Sequence, residues 1–168
     1  MKWILSIAAV ITLVAGVAVV LHRERTVERS IDIAASPAEV WRVLVDFPAY
    51  PQWNPFVIRA AAPDGLKVGS DLDVRISNGG SETGFRPAVL AVEPDRELRW
   101  VGRILIPGLL DGEHSFRLEA TAHGTRFTQG ERFRGVLVPL AGSAIDVASG
   151  FDAMNAALRD RVLATIAR

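Results

Sequence analysis

The chain has 168 residues, and its 19 Lys and Arg balance 19 Asp and Glu to a formal net charge of zero. That length supports one domain; the balance excludes the broad basic surface behind non-specific nucleic-acid binding, and a 49% apolar share excludes a disordered chain. Cysteine is absent, which removes disulfides, thiolate metal sites and a Cys nucleophile.

Trp3 to Leu21 reads WILSIAAVITLVAGVAVVL, 19 residues without a charge. At about 1.5 Å rise per residue a helix of that length spans roughly 28 Å, close to the hydrocarbon thickness of a bilayer. A cleaved secretory signal is the alternative, although the run exceeds the usual signal core of about 7–15 residues. The segment predicts an N-terminal transmembrane helix, so residues 1–23 are read as an anchor or signal and residues 24–168 as the folded domain. Lys2 precedes the segment while Arg23, Arg25 and Arg29 follow it, which leaves the side of the membrane open.

Val27, Ile31 and Ile33 alternate with polar residues as a half-buried strand, interrupted on its apolar side by Arg29. Ser36-Pro37-Ala38-Glu39 then starts a helix, with Ser at the N-cap, Pro at the first helical position and Glu completing a capping box. Val40, Leu44 and Phe47 supply its apolar face, and Tyr50–Pro55 is a proline-punctuated turn or short helix. Six strand-like segments follow: Phe56–Ala60, Leu72–Ile76, Arg86–Val92, Leu98–Ile104, Glu113–Thr121 and Thr125–Val136, separated by Gly-, Pro- and Asn-containing turns. Hairpin-length connections predict antiparallel pairing, because parallel strands need crossovers of about a dozen residues. Val147, Phe151, Met154, Leu158 and Val162 recur at helical spacing within Leu140–Arg168, which predicts a long C-terminal helix. The order implies an α+β fold: a curved antiparallel sheet wrapped around the long helix, with two short helices after the first strand. A cavity is expected between sheet and helix.

With SPAEVW opening the first helix and FPAYPQWNPF following it, this order resembles the START-like (SRPBCC) superfamily of polyketide cyclases/dehydrases and lipid-transport proteins. FRPAVLAVEPDRELRW and DGEHSFRLEATAHGTRFTQGERFRGVLVPL are similar to its middle and late strands, so the likeness covers roughly residues 27–165. The resemblance implies a helix-grip domain with an internal pocket. It does not imply a reaction, because no catalytic set of a particular cyclase is present.

Strand alternation nominates the residues facing that pocket. His114 and Phe116 share a face with Leu118, while Gln129, Glu131 and Phe133 share one with Phe127. If Leu90 and Val92 face inward, Arg86 comes with them as a counter-charge for Glu131. The alternative for Glu131 is solvation at an open end or a structural ion pair. Trp53, Phe56, Trp100, Phe151 and Met154 are lining or plain core, and Gly150 falls within the long helix, where close approach or a kink would account for it. Ile104–Leu110 and Val136–Leu140 are unusually apolar loops, which either pack under the helix or form a greasy lip.

Other chemistry is missing from the sequence. His22, His114 and His123 lack metal-ligand spacing, Ser143 lacks a nucleophile elbow, and no phosphate-binding glycine loop occurs, so no metal or cofactor is expected. The leading expectation is membrane-tethered binding of a hydrophobic small molecule such as a lipid, quinone or polyketide-like compound. Two alternatives are a cyclase/dehydrase using Arg86, His114 or Glu131 for proton transfer, and a protein-interaction or stress module without ligand.

Overall fold

The structure, a computed structural model, describes residues 23–104 and 106–167. The apolar segment Trp3–Leu21 lies outside the described residues, and within them no helix is long and apolar enough to cross a membrane. Eight strands are described: β1 (Arg23–Ile33), β2 (Val57–Ala61), β3 (Asp73–Asn78), β4 (Ser81–Phe85), β5 (Ala88–Glu93), β6 (Glu97–Ile104), β7 (Leu110–Thr121) and β8 (Gly124–Gly135). Helices α1 (Pro37–Leu44) and α2 (Tyr50–Trp53) sit between β1 and β2, and α3 (Ala148–Ile166) ends the chain. This is the helix-grip arrangement of one long helix held by an antiparallel sheet.

All named pairs are antiparallel. One sheet has the order β1-β8-β7-β6-β5 and the other β2-β3-β4. The bridge Asp71↔Ala88 joins them, reinforced by Leu72 N–H donating to Pro87 O and Val89 N–H to Ser70 O, each at 2.9 Å. β4 is a strand the sequence reading missed. Its residues SETGF hold little apolar surface, and it forms by pairing with β3 across the Asn78–Ser81 hairpin.

Local sequence accounts for the helix boundaries. Ser36 accepts from the Glu39 amide while the Glu39 carboxylate takes the Ser36 amide at 2.7 Å, so the capping box is present. Val40, Leu44 and Phe47 are buried. The single tyrosine, Tyr50, is also buried and donates its hydroxyl to the Leu44 carbonyl at 2.6 Å, tying the end of α1 to α2. At the other end of the chain, two 3-10 turns (Val138–Leu140 and Gly142–Ile145) precede α3, which starts only at Ala148. Gly150 therefore lies in the first turn of α3 rather than mid-helix. Its reason is close approach: a Cβ there would overlap the Phe56 ring, 2.7 Å from Cε2 and 3.1 Å from Cγ.

The core runs between the inner sheet face and α3, which buries Phe151, Met154, Asn155, Leu158 and Val162. The outer face of the same sheet is a lattice of cross-strand ion pairs, among them Arg126–Asp32, Arg117–Glu28 and Arg134–Glu24. Glu113 accepts from Arg99 at 3.0 Å and Arg132 at 3.4 Å. Burial pushes its carboxyl up, but the bond from Arg99 and the charge of Arg132 outweigh this and hold it below the usual carboxylate range.

Candidate functional site: a polar chain inside an aromatic wall

On the inner face, β7 presents Gly112, His114, Phe116 and Leu118, and β8 presents Phe127, Gln129, Glu131 and Phe133, as strict alternation requires. The register sets His114 opposite Glu131 and Phe116 opposite Gln129. His114 Nδ1 lies 2.5 Å from Glu131 Oε2, and its Nε2 lies 3.1 Å from Gln129 Nε2. A carboxylate only accepts, so Nδ1 carries the proton; an amide nitrogen only donates, so Nε2 accepts. Gln129 Nε2 also lies 3.4 Å from Met154 Sδ on α3. The hydrogen-bond polarity thus runs from Gln129 through His114 to Glu131, and it leaves Gln129 Oε1 buried without a partner among the described residues.

Aromatic rings enclose this chain. The His114 ring stacks on Trp100 at 5.1 Å and 13°, meets Phe151 edge-on at 5.2 Å and touches Phe116 at 4.6 Å. Phe56 extends the wall through its edge-to-face contact with Phe151. Trp100, Phe116, Gln129, Phe151 and Met154 are at most 2% exposed, so this part of the interior is filled by its own side chains. The more open part lies farther along the same face, where Glu131, Phe133, Leu110 and Gly112 are half-buried.

Glycines shape that end. Gly102 on β6 is opposite Gly112 on β7, which is itself opposite Phe133 on β8. A Cβ on Gly112 would lie 2.6 Å from Glu131 Oε1, and one on Gly102 would lie 3.2 Å from Phe85 Cδ2. The paired glycines therefore form a side-chain-free floor on which the Glu131 carboxylate and the Phe85 ring rest. Among the described residues nothing donates a hydrogen bond to Glu131 Oε1, while Oε2 is held by His114.

Of the residues nominated from sequence, Trp100, His114, Phe116, Gln129, Glu131, Phe151 and Met154 come together, with Phe56 and Phe133 beside them. Trp53 packs half-buried against Tyr50, on α2 and away from the polar chain. Arg86 is a correction. It is exposed, and the partner of Glu131 is His114. The cause is a bulge: Val89 pairs with Trp100, Ala91 with Arg99 and Val92 with Leu98, so the strand's alternation changes phase between Val89 and Ala91. Val89 and Val92 face inward as a result, and parity counted back from Val92 fails at Arg86. Sequence reading also missed Gly102, Gly112 and Asn155. The last is buried in α3 and donates to the Arg29 carbonyl at 3.2 Å. An Asn four residues after Phe151 on the buried stripe was the available signal.

The outer sheet face carries a shallow groove of about 430 Å³, lined by residues such as Glu28, Arg99, Glu113 and Arg117. Most of its charges pair with one another, and it lies across the sheet from α3. No group of His, Asp and Glu among the described residues is arranged to hold a metal ion.

With this geometry, a family model described as polyketide cyclase / dehydrase and lipid transport matches residues 24–163. The chain belongs to that family. No curated protein sequence matches the chain. Among solved structures, a START superfamily protein from Mycobacterium smegmatis is similar at 21% identity, covering 83% of this chain and 98% of that one with a TM-score of 0.63. The Zhui aromatase/cyclase from Streptomyces sp. R1128 is similar at 14% identity, with coverages of 86% and 96% and a TM-score of 0.63. Protein MLL2253 from Mesorhizobium loti is similar at 23% identity, with coverages of 84% and 98% and the same TM-score of 0.63. At these identities the likeness carries the fold and not the activity. The family description spans hydrophobic-ligand binding and polyketide cyclase-type chemistry, and the choice between them rests on the site.

Proposed function

We propose that the domain binds a hydrophobic small molecule bearing a hydroxyl group, between the inner sheet face and α3, and that residues 3–21 tether it to a membrane. The observation that carries the binding reading is the way His114 is used. Both ring nitrogens are engaged within the protein and the ring is enclosed by Trp100, Phe116 and Phe151. A histidine so held positions a neighbour; it has no nitrogen left to exchange a proton with substrate, which weighs against cyclase chemistry. The neighbour it positions is Glu131, whose Oε1 lies over the glycine floor at the half-open end. That oxygen is an acceptor, so it fits a ligand that donates. Apolar burial against Phe133, Phe85 and Leu110 would supply most of the affinity, and the hydroxyl-to-carboxylate bond would fix orientation.

The test is calorimetric titration of the whole protein with an alcohol and the ketone of the same hydrocarbon skeleton. A hydrogen bond to a charged acceptor contributes about 1.5–3 kcal/mol, so the alcohol should bind at least about tenfold more tightly. Glu131→Leu should erase the difference while retaining binding. Equal affinity for the two ligands in the unaltered protein would refute the acceptor role, and no uptake of either would refute the binding reading itself.

A further inference from the structure

The ends of the sheet differ in chemistry. At one end Arg23 of β1 pairs with Gly135 of β8, Asp111 of β7 with Arg134, and Ile104 of β6 with Leu110. The β6–β7 loop and the segment after β8 are bonded to each other there, through Val136 N–H to Gly108 O at 3.2 Å and Leu137 N–H to Leu109 O at 3.0 Å. Residues 104–110 and 135–145 carry no charge, in a chain of which 23% is charged. Ile106 is 64% exposed and Leu140 is 80% exposed, whereas Val138 and Ile145 are buried and brace the second segment from beneath. The half-open end holding Glu131 and Phe133 is this same end.

The chain enters the domain at this end as well. Arg23, the first residue of β1, is separated from the apolar run Trp3–Leu21 by His22 alone. A segment able to enter a bilayer therefore meets the domain beside its two uncharged, exposed loop tips; on the strands behind them Asp111 lies between Arg103 and Arg134, and Arg134 is paired with Glu24. Exposed apolar side chains on two adjoining uncharged loops form the pattern of an interfacial contact, with Ile106 and Leu140 placed to reach the acyl boundary.

We propose that the tips around Ile106 and Leu140 insert into the bilayer that holds residues 3–21, seating the domain with its half-open end on the lipid. Ligand would then pass between membrane and protein without crossing water. The seating depends on the tether reading of residues 3–21 and is independent of which ligand binds.

Because the chain lacks cysteine, single probes are clean. The full chain is reconstituted in phosphatidylcholine/phosphatidylglycerol vesicles with an environment-sensitive fluorophore on Ile106→Cys, Leu140→Cys or His123→Cys. His123 lies at the β7–β8 turn, about 35 Å away along a 12-residue strand. Headgroup- and acyl-chain-labelled nitroxide lipids should quench the probes at 106 and 140 several-fold more than the probe at 123. Equal quenching at all three positions overturns the seating. So does a blue-shifted but unquenched probe at 106 and 140, which would mean that protein covers the tips, either residues 3–21 or a second copy of the chain. Failure of the protein to float with the vesicles overturns the tether, a separate result from loss of quenching in protein that floats.

Discussion

Gly150→Ala sets two effects of opposite sign against each other at a single methyl group. Alanine in a helix interior is favoured over glycine by about 1 kcal/mol, and by less in a first turn, which is where Gly150 lies. Against this, the new Cβ would overlap the Phe56 ring and sit 3.1 Å from its Cγ. That ring is 2% exposed and held edge-on to Phe151 at 5.4 Å, so it has no free direction in which to move. Overpacking of this kind costs about 1–3 kcal/mol, and the clash wins. The expected net loss is about 1–2 kcal/mol, a fall in melting temperature of roughly 2–8 °C at the usual conversion for a protein of this size. Thermal and urea unfolding of Gly150→Ala should be compared with the same substitution in a Phe56→Leu background. There the ring is gone, and alanine should become neutral or stabilising, with a coupling of about 1–3 kcal/mol between the two sites. A stabilising Gly150→Ala in the parent protein, or the same effect in both backgrounds, would refute the assignment of this glycine to close approach.

Three further outcomes follow from the same geometry. Burial pushes the Tyr50 hydroxyl far above its ordinary value. Its stabilising effect is therefore complete below the unfolded value of about 10 and is lost as pH rises beyond it. As Tyr50 is the only tyrosine, phenolate absorbance should appear only as the protein unfolds; reversible titration near pH 10 with the fold intact would contradict the burial. Tyr50→Phe leaves the Leu44 carbonyl without its donor and should cost about 1–3 kcal/mol in urea unfolding, a figure that no measurable change would refute. Glu113, whose carboxyl is held low by Arg99 and Arg132 despite burial, contributes stability above about pH 4 that is lost on acidification; Glu113→Gln should flatten this part of the acid limb, and an unchanged limb would remove Glu113 from it.

Some of this was legible in the sequence because it is local. The Ser36–Glu39 capping box, the stripe Phe151-Met154-Leu158-Val162 and the inward parity of His114, Gln129 and Glu131 follow from backbone periods of 3.6 and 2, which neighbouring residues set without help from the rest of the chain. What the tertiary structure decided is which of those residues meet. His114 and Glu131 are 17 positions apart, and their bond exists because the β7–β8 register sets them opposite one another, with Gly112 of β7 leaving room for the Glu131 carboxylate. Arg86 lost its place through a bulge that strand pairing imposes and no propensity announces, and β4 exists only as the partner of β3. The uncharged loops could be read from composition. That they adjoin each other and the start of β1 is a product of sheet order, which long-range packing chooses among alternatives the local sequence leaves equal.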